Sequence, residues 1–330
     1  MRGQVLSHNS RRAGQPALAA LAKRFGHVVA LVFLATVCWL VFERARKVDW
    51  HAVWLALLAY PLSTLALALA LATTAHMLFA SYDLLARRYV GHKVRPLNVL
   101  GVGLVVYAVN LNLGSLIGGI GFRWRLYSKL GLDALQIGRI FGFSVATNWS
   151  GYLVLAGVLL ATRSFEPPPE LGIPGELLQL MGIALLAIAV LYLVACFTAR
   201  KRSIEVRGHQ FVLPTGDIAW RQLTLSMLHW MVTGGVIYAL MPPGPDYPTA
   251  LGTLMCAAVA GTIVRVPGGL GVVEAVFVAT LGDTVPEGAL IAALLAYRAA
   301  FYLLPLAGAM AMHFTLEALA RRHATRGRQR

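Results

Sequence analysis

Residues 249–281, TALGTLMCAAVAGTIVRVPGGLGVVEAVFVATL, decide how this chain is read. As a single helix this stretch would be about 50 Å long at roughly 1.5 Å per residue. An apolar membrane core is only about 30 Å thick. Its centre is RVPGGLG, 265–271. Proline lacks the helix donor and glycine is a poor helix former, so the helix must break there. The prediction is a re-entrant hairpin of two half-helices that returns to the side it came from. A second stretch, 97–120, repeats the pattern with NLNLG at 110–114. Asn110 and Asn112 put amides in the middle of an apolar run, and Gly114 follows them.

The rest of the chain fits a membrane setting. Of the 330 residues, 58% are apolar and 13% charged, and the mean hydropathy is +0.68. Soluble domains sit near ~45–50% apolar and ~25% charged. Apolar blocks of spanning length fall at 25–42, 53–80, 97–120, 137–161, 176–199, 222–241, 249–281 and 288–316. The longest polar connection, 200–221, is too short for a soluble domain. The expected fold is an all-α polytopic membrane protein with six spanning helices and two oppositely oriented hairpins. Residues 25–316 form one membrane domain between basic tails at 1–24 and 317–330. Cys38, Cys196 and Cys256 lie inside apolar blocks without CxxC spacing, so neither zinc nor a disulfide framework is indicated.

Charge sets the topology. The net charge is +15, which in a membrane protein marks cytoplasmic loops rather than nucleic-acid binding. If all eight blocks crossed, the two sides would hold 15 and 12 Lys/Arg. With 97–120 and 249–281 as hairpins the counts become 23 inside and 4 outside, with Arg265 and Arg298 inside segments. The hairpin arrangement obeys the positive-inside rule and puts both termini in the cytoplasm. It also makes 25–161 and 176–316 inverted repeats, an architecture in which secondary transporters bind substrate between two broken elements.

A charge inside the membrane costs roughly 2.5–3.5 kcal/mol on insertion scales, and marks function by default. Arg265 precedes the PGG break, Glu274 follows it, and Arg298 lies inside the last block. Glu274 can pair with Arg265 or Arg298 and hold the hairpin down. Two arginines and one glutamate leave a net positive site suited to a phosphate, with N–H groups around Gly268, Gly269 and Leu270 as further donors. Arg123, Arg125 and Lys129, with Trp124 and Tyr127, read as interfacial anchors or as a cytoplasmic headgroup gate. Asp83 is expected to pair with Arg87 one turn on. Asn148 is placed to satisfy backbone freed in the first hairpin. His229 reads as a packed, hydrogen-bonded residue rather than a ligand. No P-loop, dinucleotide, HExxH or GxSxG arrangement is present, so no enzyme activity, cofactor or metal is expected.

These motifs together resemble a known family. KVDWHAVW (47–54), YDLLARRYVGHKV (82–94), YAVNLNLGSLIGGIGFRWRLYSKLGL (107–132), RIFGFSVATNWSGYLVLAG (139–157), RVPGGLGVVEAVFVATL (265–281) and IAALLAYRAAFYLLPL (291–306) are similar to YbhN-like bacterial inner-membrane proteins. Those belong to the wider family of the lysylphosphatidylglycerol synthase transmembrane region. The resemblance implies a membrane domain that, in the synthases, moves aminoacylated phosphatidylglycerol between leaflets. It carries over to Arg265, Gly268, Gly269 and Glu274 in the second element, and to Arg123 and Arg125 in the first. The synthases add a soluble transferase domain where this chain reads RRHATRGRQR (321–330), so transferase activity is not implied. The expected function is translocation of an anionic phospholipid or lipid-linked phosphate in the bacterial inner membrane. The alternative is a non-transporting membrane partner or regulator of an envelope-lipid pathway.

Overall fold

A computed structural model describes residues 49–167, 172–200, 203–206, 209–264 and 266–311. The expected first span at 25–42, both basic tails and Arg265 lie outside the described residues.

The chain enters at α1 (Trp50–Leu58), capped by Asp49, whose side chain accepts from the His51 and Ala52 amides at 3.0 and 3.1 Å. The block expected at 53–80 is not one span. Helix α1 stops before Tyr60 and Pro61, and α2 runs from Leu62 to Val90. The physical reason is Pro61, which cannot donate to α1 and is ready-made to precede a new helix. Gly91, in the left-handed region at φ 80°, ends α2. Next come α3 (Pro96–Gly114), π-helical turns at Ser115–Phe122 and a short α4 (Arg123–Lys129). Helix α5 (Ala134–Ala161) starts with a capping box between Asp133 and Gln136. Helix α6 (Gly175–Thr198) leads into a two-stranded ribbon, β1 (Ser203–Val206) antiparallel to β2 (His209–Val212).

The second half continues with α7 (Gly216–Leu240) and α8 (Tyr247–Val264), a 3-10 turn at Pro267–Gly269, and α9 (Val272–Leu281). Helix α10 (Glu287–Tyr297) passes into π-helical turns at Arg298–Leu303 and continues to Ala311. Among the described residues, seven helices are long and apolar enough to cross a membrane. The protein is an all-α polytopic membrane protein.

Helices α2 and α7 form the centre. Ala68, Ala72 and Ala75 of α2 pack with Val236, Ile237 and Leu240 of α7 in one buried cluster. Small residues set the approaches elsewhere. A Cβ on Gly151 of α5 would lie 2.4 Å from the Met227 amide of α7, and one on Gly182 of α6 would lie 2.4 Å from the Ala161 amide of α5. Lipid tails are as apolar as leucine, so close backbone packing of this kind is what joins helices in a bilayer. Helix α6 is peripheral and exposes Leu180, Ile183, Val190, Leu191 and Phe197.

The chain turns back locally at both predicted breaks, but α3 and α8, which lead into them, are among the seven helices long and apolar enough to cross a membrane rather than half-helices. In the second, Gly268, Gly269 and Gly271 take φ of 65°, 57° and 77°, values that only glycine adopts readily. Helix α9 then packs back along α8. The first turn lies at the last residue of NLNLG. Asn110 and Asn112 are still helical, and the turn is at Gly114, with φ 82°. A Cβ on Gly118 would fall 2.2 Å from the Asn110 backbone nitrogen. Eight residues along a straight helix span about 12 Å, so the π-helical turns fold onto the end of α3.

Candidate functional site

The two reversals meet. A Cβ on Gly268 would lie 3.6 Å from the Leu111 carbonyl oxygen, 3.7 Å from that of Asn112 and 3.9 Å from Arg298 Nη1. Two segments more than 150 residues apart in sequence thus share one point in the bundle, and an arginine stands beside it.

Arg298 organises this point. It occupies the junction of α10 with its π-helical turns, a widened geometry often found at functional sites. Its Nε donates to Glu274 Oε1, and its Nη2 donates to Glu274 Oε2 at 2.9 Å. Nη1 donates to the Gly268 carbonyl at 2.9 Å, and Nη2 also donates to that of Gly269 at 3.1 Å. The Tyr302 ring centroid is 5.4 Å from the guanidinium carbon, within cation–π range. Four of the five guanidinium N–H groups are thereby accounted for. Of the two partners left open by the sequence, Arg298 takes Glu274.

Glu274 does a second job. Its Oε2 accepts from the Gly271 amide at 2.9 Å and so caps the start of α9. The Gly269 amide donates to the Val266 carbonyl at 3.0 Å. Of the amides expected to stand ready for a phosphate, that of Gly269 is already bonded, as is that of Gly271 at the start of α9, and the turn offers Arg298 carbonyl oxygens. The cause is Glu274 at the third helical position, where its own carboxylate reaches the amide that an external anion would use. The pair is partly open, with the side chains of Arg298 and Glu274 13% and 28% exposed.

The asparagines divide. Asn112 Nδ2 donates to Ala108 O at 2.8 Å and to Tyr302 O at 3.1 Å, which ties α3 to the π-helical turns carrying Arg298. Asn110 Oδ1 is buried without a partner among the described residues. The Asn148 main-chain carbonyl accepts from Ser226 and Trp230 of α7 at 2.8 and 3.1 Å. His229 is hydrogen-bonded as expected, Nδ1 to Ala75 O at 3.0 Å and Nε2 to the Tyr107 hydroxyl at 3.2 Å.

A second ion pair was not legible. Asp83 is fully buried, and it does not pair with Arg87, whose Nε donates to Val94 O at 2.7 Å. Asp83 instead accepts from Arg123 Nη2 at 2.8 Å and Nε at 3.3 Å, from Tyr127 at 2.9 Å and from Ser144 at 2.8 Å. Arg123 Nη1 donates to Gly119 O at 3.2 Å. Arg123 and Tyr127 therefore face inward, while Trp124, Arg125 and Lys129 of the same stretch are exposed. The sequence did hold a signal. Ala68, Ala72, Ala75 and Ala86 mark a buried stripe of small residues on α2, and Asp83 falls on it at helical spacing.

Comparison with known proteins places this geometry. Residues 27–309 match the family described as the lysylphosphatidylglycerol synthase TM region. The chain is 40% identical to the inner membrane protein YbhN of Escherichia coli over 303 residues, covering 92% of this chain and 94% of that protein. It is 30% identical to the uncharacterized protein slr0712 of Synechocystis over 248 residues, covering 74% of this chain and 77% of that one.

Proposed function

The chain belongs to the family of the lysylphosphatidylglycerol synthase transmembrane region, and we propose that it is a lipid translocase for phospholipids with an anionic headgroup. The observation that carries this reading is the meeting of two chain reversals at a partly open Glu–Arg pair. The proposed topology makes both reversals re-entrant from opposite sides, with inverted repeats at 25–161 and 176–316. In support, each half supplies the same order of elements: a long helix, a reversal and another long helix, with α2 and α7 in equivalent places. The inner-membrane location follows the name of the relative from Escherichia coli.

The mechanism is an exchange of anions on Arg298. A planar guanidinium binds carboxylate and phosphate through the same fork of donors. A buried arginine stripped of its partner is expensive, so a headgroup phosphate must arrive as Glu274 leaves. Glu274 holds the empty site closed through the Gly271 amide and Arg298, and its release lets α9 move relative to α10. Arg265, two residues before Pro267 in the sequence, supplies the second cation of the proposed site. Asn112 fixes the end of α3 against Tyr302, so the two reversals respond together. No bond is made or broken in this cycle, and the role is transport rather than catalysis.

The test is leaflet exchange in proteoliposomes containing fluorescent phosphatidylglycerol or phosphatidylethanolamine, read by quenching the outer leaflet with dithionite. The expected result is exchange above protein-free vesicles, faster for phosphatidylglycerol. Exchange equal to that of empty vesicles for both lipids rejects the reading.

A further inference from the structure

A cavity of about 430 Å³ lies where the end of α2, the start of α3 and the start of α7 come together. Arg87 and Arg88 of α2 and Arg221 of α7 line it, and none of its lining residues is acidic. Its remaining wall is largely aliphatic, with Leu84, Leu225 and Leu228 among the lining side chains. Arg88 and Arg221 are exposed. Arg87 is fixed at the rim by its bond to Val94 O, 2.7 Å long. The nearest acid on α7, Asp217, accepts a hydrogen bond from the Thr215 hydroxyl.

We propose that this cavity binds the headgroup and first acyl segment of a glycerophospholipid with an anionic headgroup. The phosphate sits between Arg88 and Arg221, Arg87 backs it, and a chain lies along Leu84, Leu225 and Leu228. Two features separate this from ordinary basic anchoring. Anchors snorkel singly from a lipid-facing surface, whereas three arginines from two helices line one concavity here. No acidic side chain lines the cavity, with Asp217 acting on Arg221 from one turn away, and clusters of this kind recognise lipid phosphate at the cytoplasmic face. The aliphatic wall, with Leu228 46% exposed, selects a lipid over a free anion.

The role as the loading site rests on the translocase reading, while the binding itself does not. Arg123, buried on Asp83, is replaced by Arg88 and Arg221 as the arginines that take the headgroup at the cytoplasmic side.

The experiment is native mass spectrometry of the detergent-purified full chain titrated with phosphatidylglycerol. The Arg88→Gln/Arg221→Gln double variant should weaken retention about tenfold, near 1.4 kcal/mol, and the Arg88→Lys/Arg221→Lys variant should recover most of it. Leu225→Trp, which narrows the wall and leaves the arginines, should weaken it as well. Inorganic phosphate at matched concentration should not displace the lipid. Unchanged retention in the glutamine double variant overturns the proposal, as does full displacement by inorganic phosphate. Loss of retention in the double variant, alongside no leaflet exchange by the native chain, sustains this site and rejects the translocase reading instead.

Discussion

The Asp83–Arg123 and Glu274–Arg298 pairs use the same chemistry in opposite settings. The first is sealed, with side chains 1% and 3% exposed, and Tyr127 and Ser144 complete the aspartate's partners. The second is partly open, and its glutamate is divided between an arginine and a helix amide. Each arginine adjoins π-helical turns, and Arg298 stands where the two reversals meet. The difference teaches which pair can move. Opening a sealed pair exposes two charges to a medium that cannot solvate them, whereas an open pair can trade one anion for another.

The largest expected effect lies on the sealed side. Asp83→Asn leaves Arg123 buried without its counter-charge and should destabilise the protein by about 3–5 kcal/mol. Glu274→Gln, on a part-exposed carboxylate, should cost much less. Thermal melting of the two purified variants in one detergent ranks them, and equal shifts would erase the distinction drawn here.

The reversals sharpen the same contrast. Gly118→Ala places a methyl against the Asn110 backbone and should cost about 1–3 kcal/mol through overpacking. Gly268→Ala meets nothing closer than 3.6 Å, and its penalty is the backbone at φ 65°, about 1–2 kcal/mol. Melting should therefore fall in both, with lipid exchange impaired beyond the loss of fold only in the second.

The smallest effect concerns pH. His92, in the connection between α2 and α3, is buried, and neither ring nitrogen has a partner among the described residues. Burial lowers its pKa from the ordinary 6.5; the nearby Arg87 lowers it further, while Asp83 opposes. The unfolded chain then binds the proton more readily, so stability is full above 6.5 and declines as pH falls below it. His92→Gln should flatten melting temperature between pH 7.5 and 5.5 relative to the native chain.

Much of this was legible in the sequence. RVPGGLG announced its own break because proline and glycine act locally, and Glu274 and Arg298 stood out as charges in apolar runs. Of NLNLG, the glycine makes the first turn and the two asparagines do not. Helical geometry tolerates Asn110 and Asn112 once Asn112 finds Ala108 and Tyr302 as acceptors. The Arg87 assignment for Asp83 failed because it weighed the neighbour one turn away against nothing else. The partner that won, Arg123, lies 40 residues on, and only the packing of α4 against α2 and α5 could bring it there.

The most direct test of the central claim compares phosphatidylglycerol exchange by the Glu274→Gln and Ser144→Ala variants in proteoliposomes. Ser144→Ala trims the sealed network and leaves its charges paired; Glu274→Gln removes the anion that holds Arg298. Glu274→Gln, folded by its melting profile, should lose at least about tenfold in rate, near 1.4 kcal/mol. Ser144→Ala should exchange at the native rate once corrected for folded protein. Native-rate exchange by Glu274→Gln would contradict the assignment of the open pair as the working site.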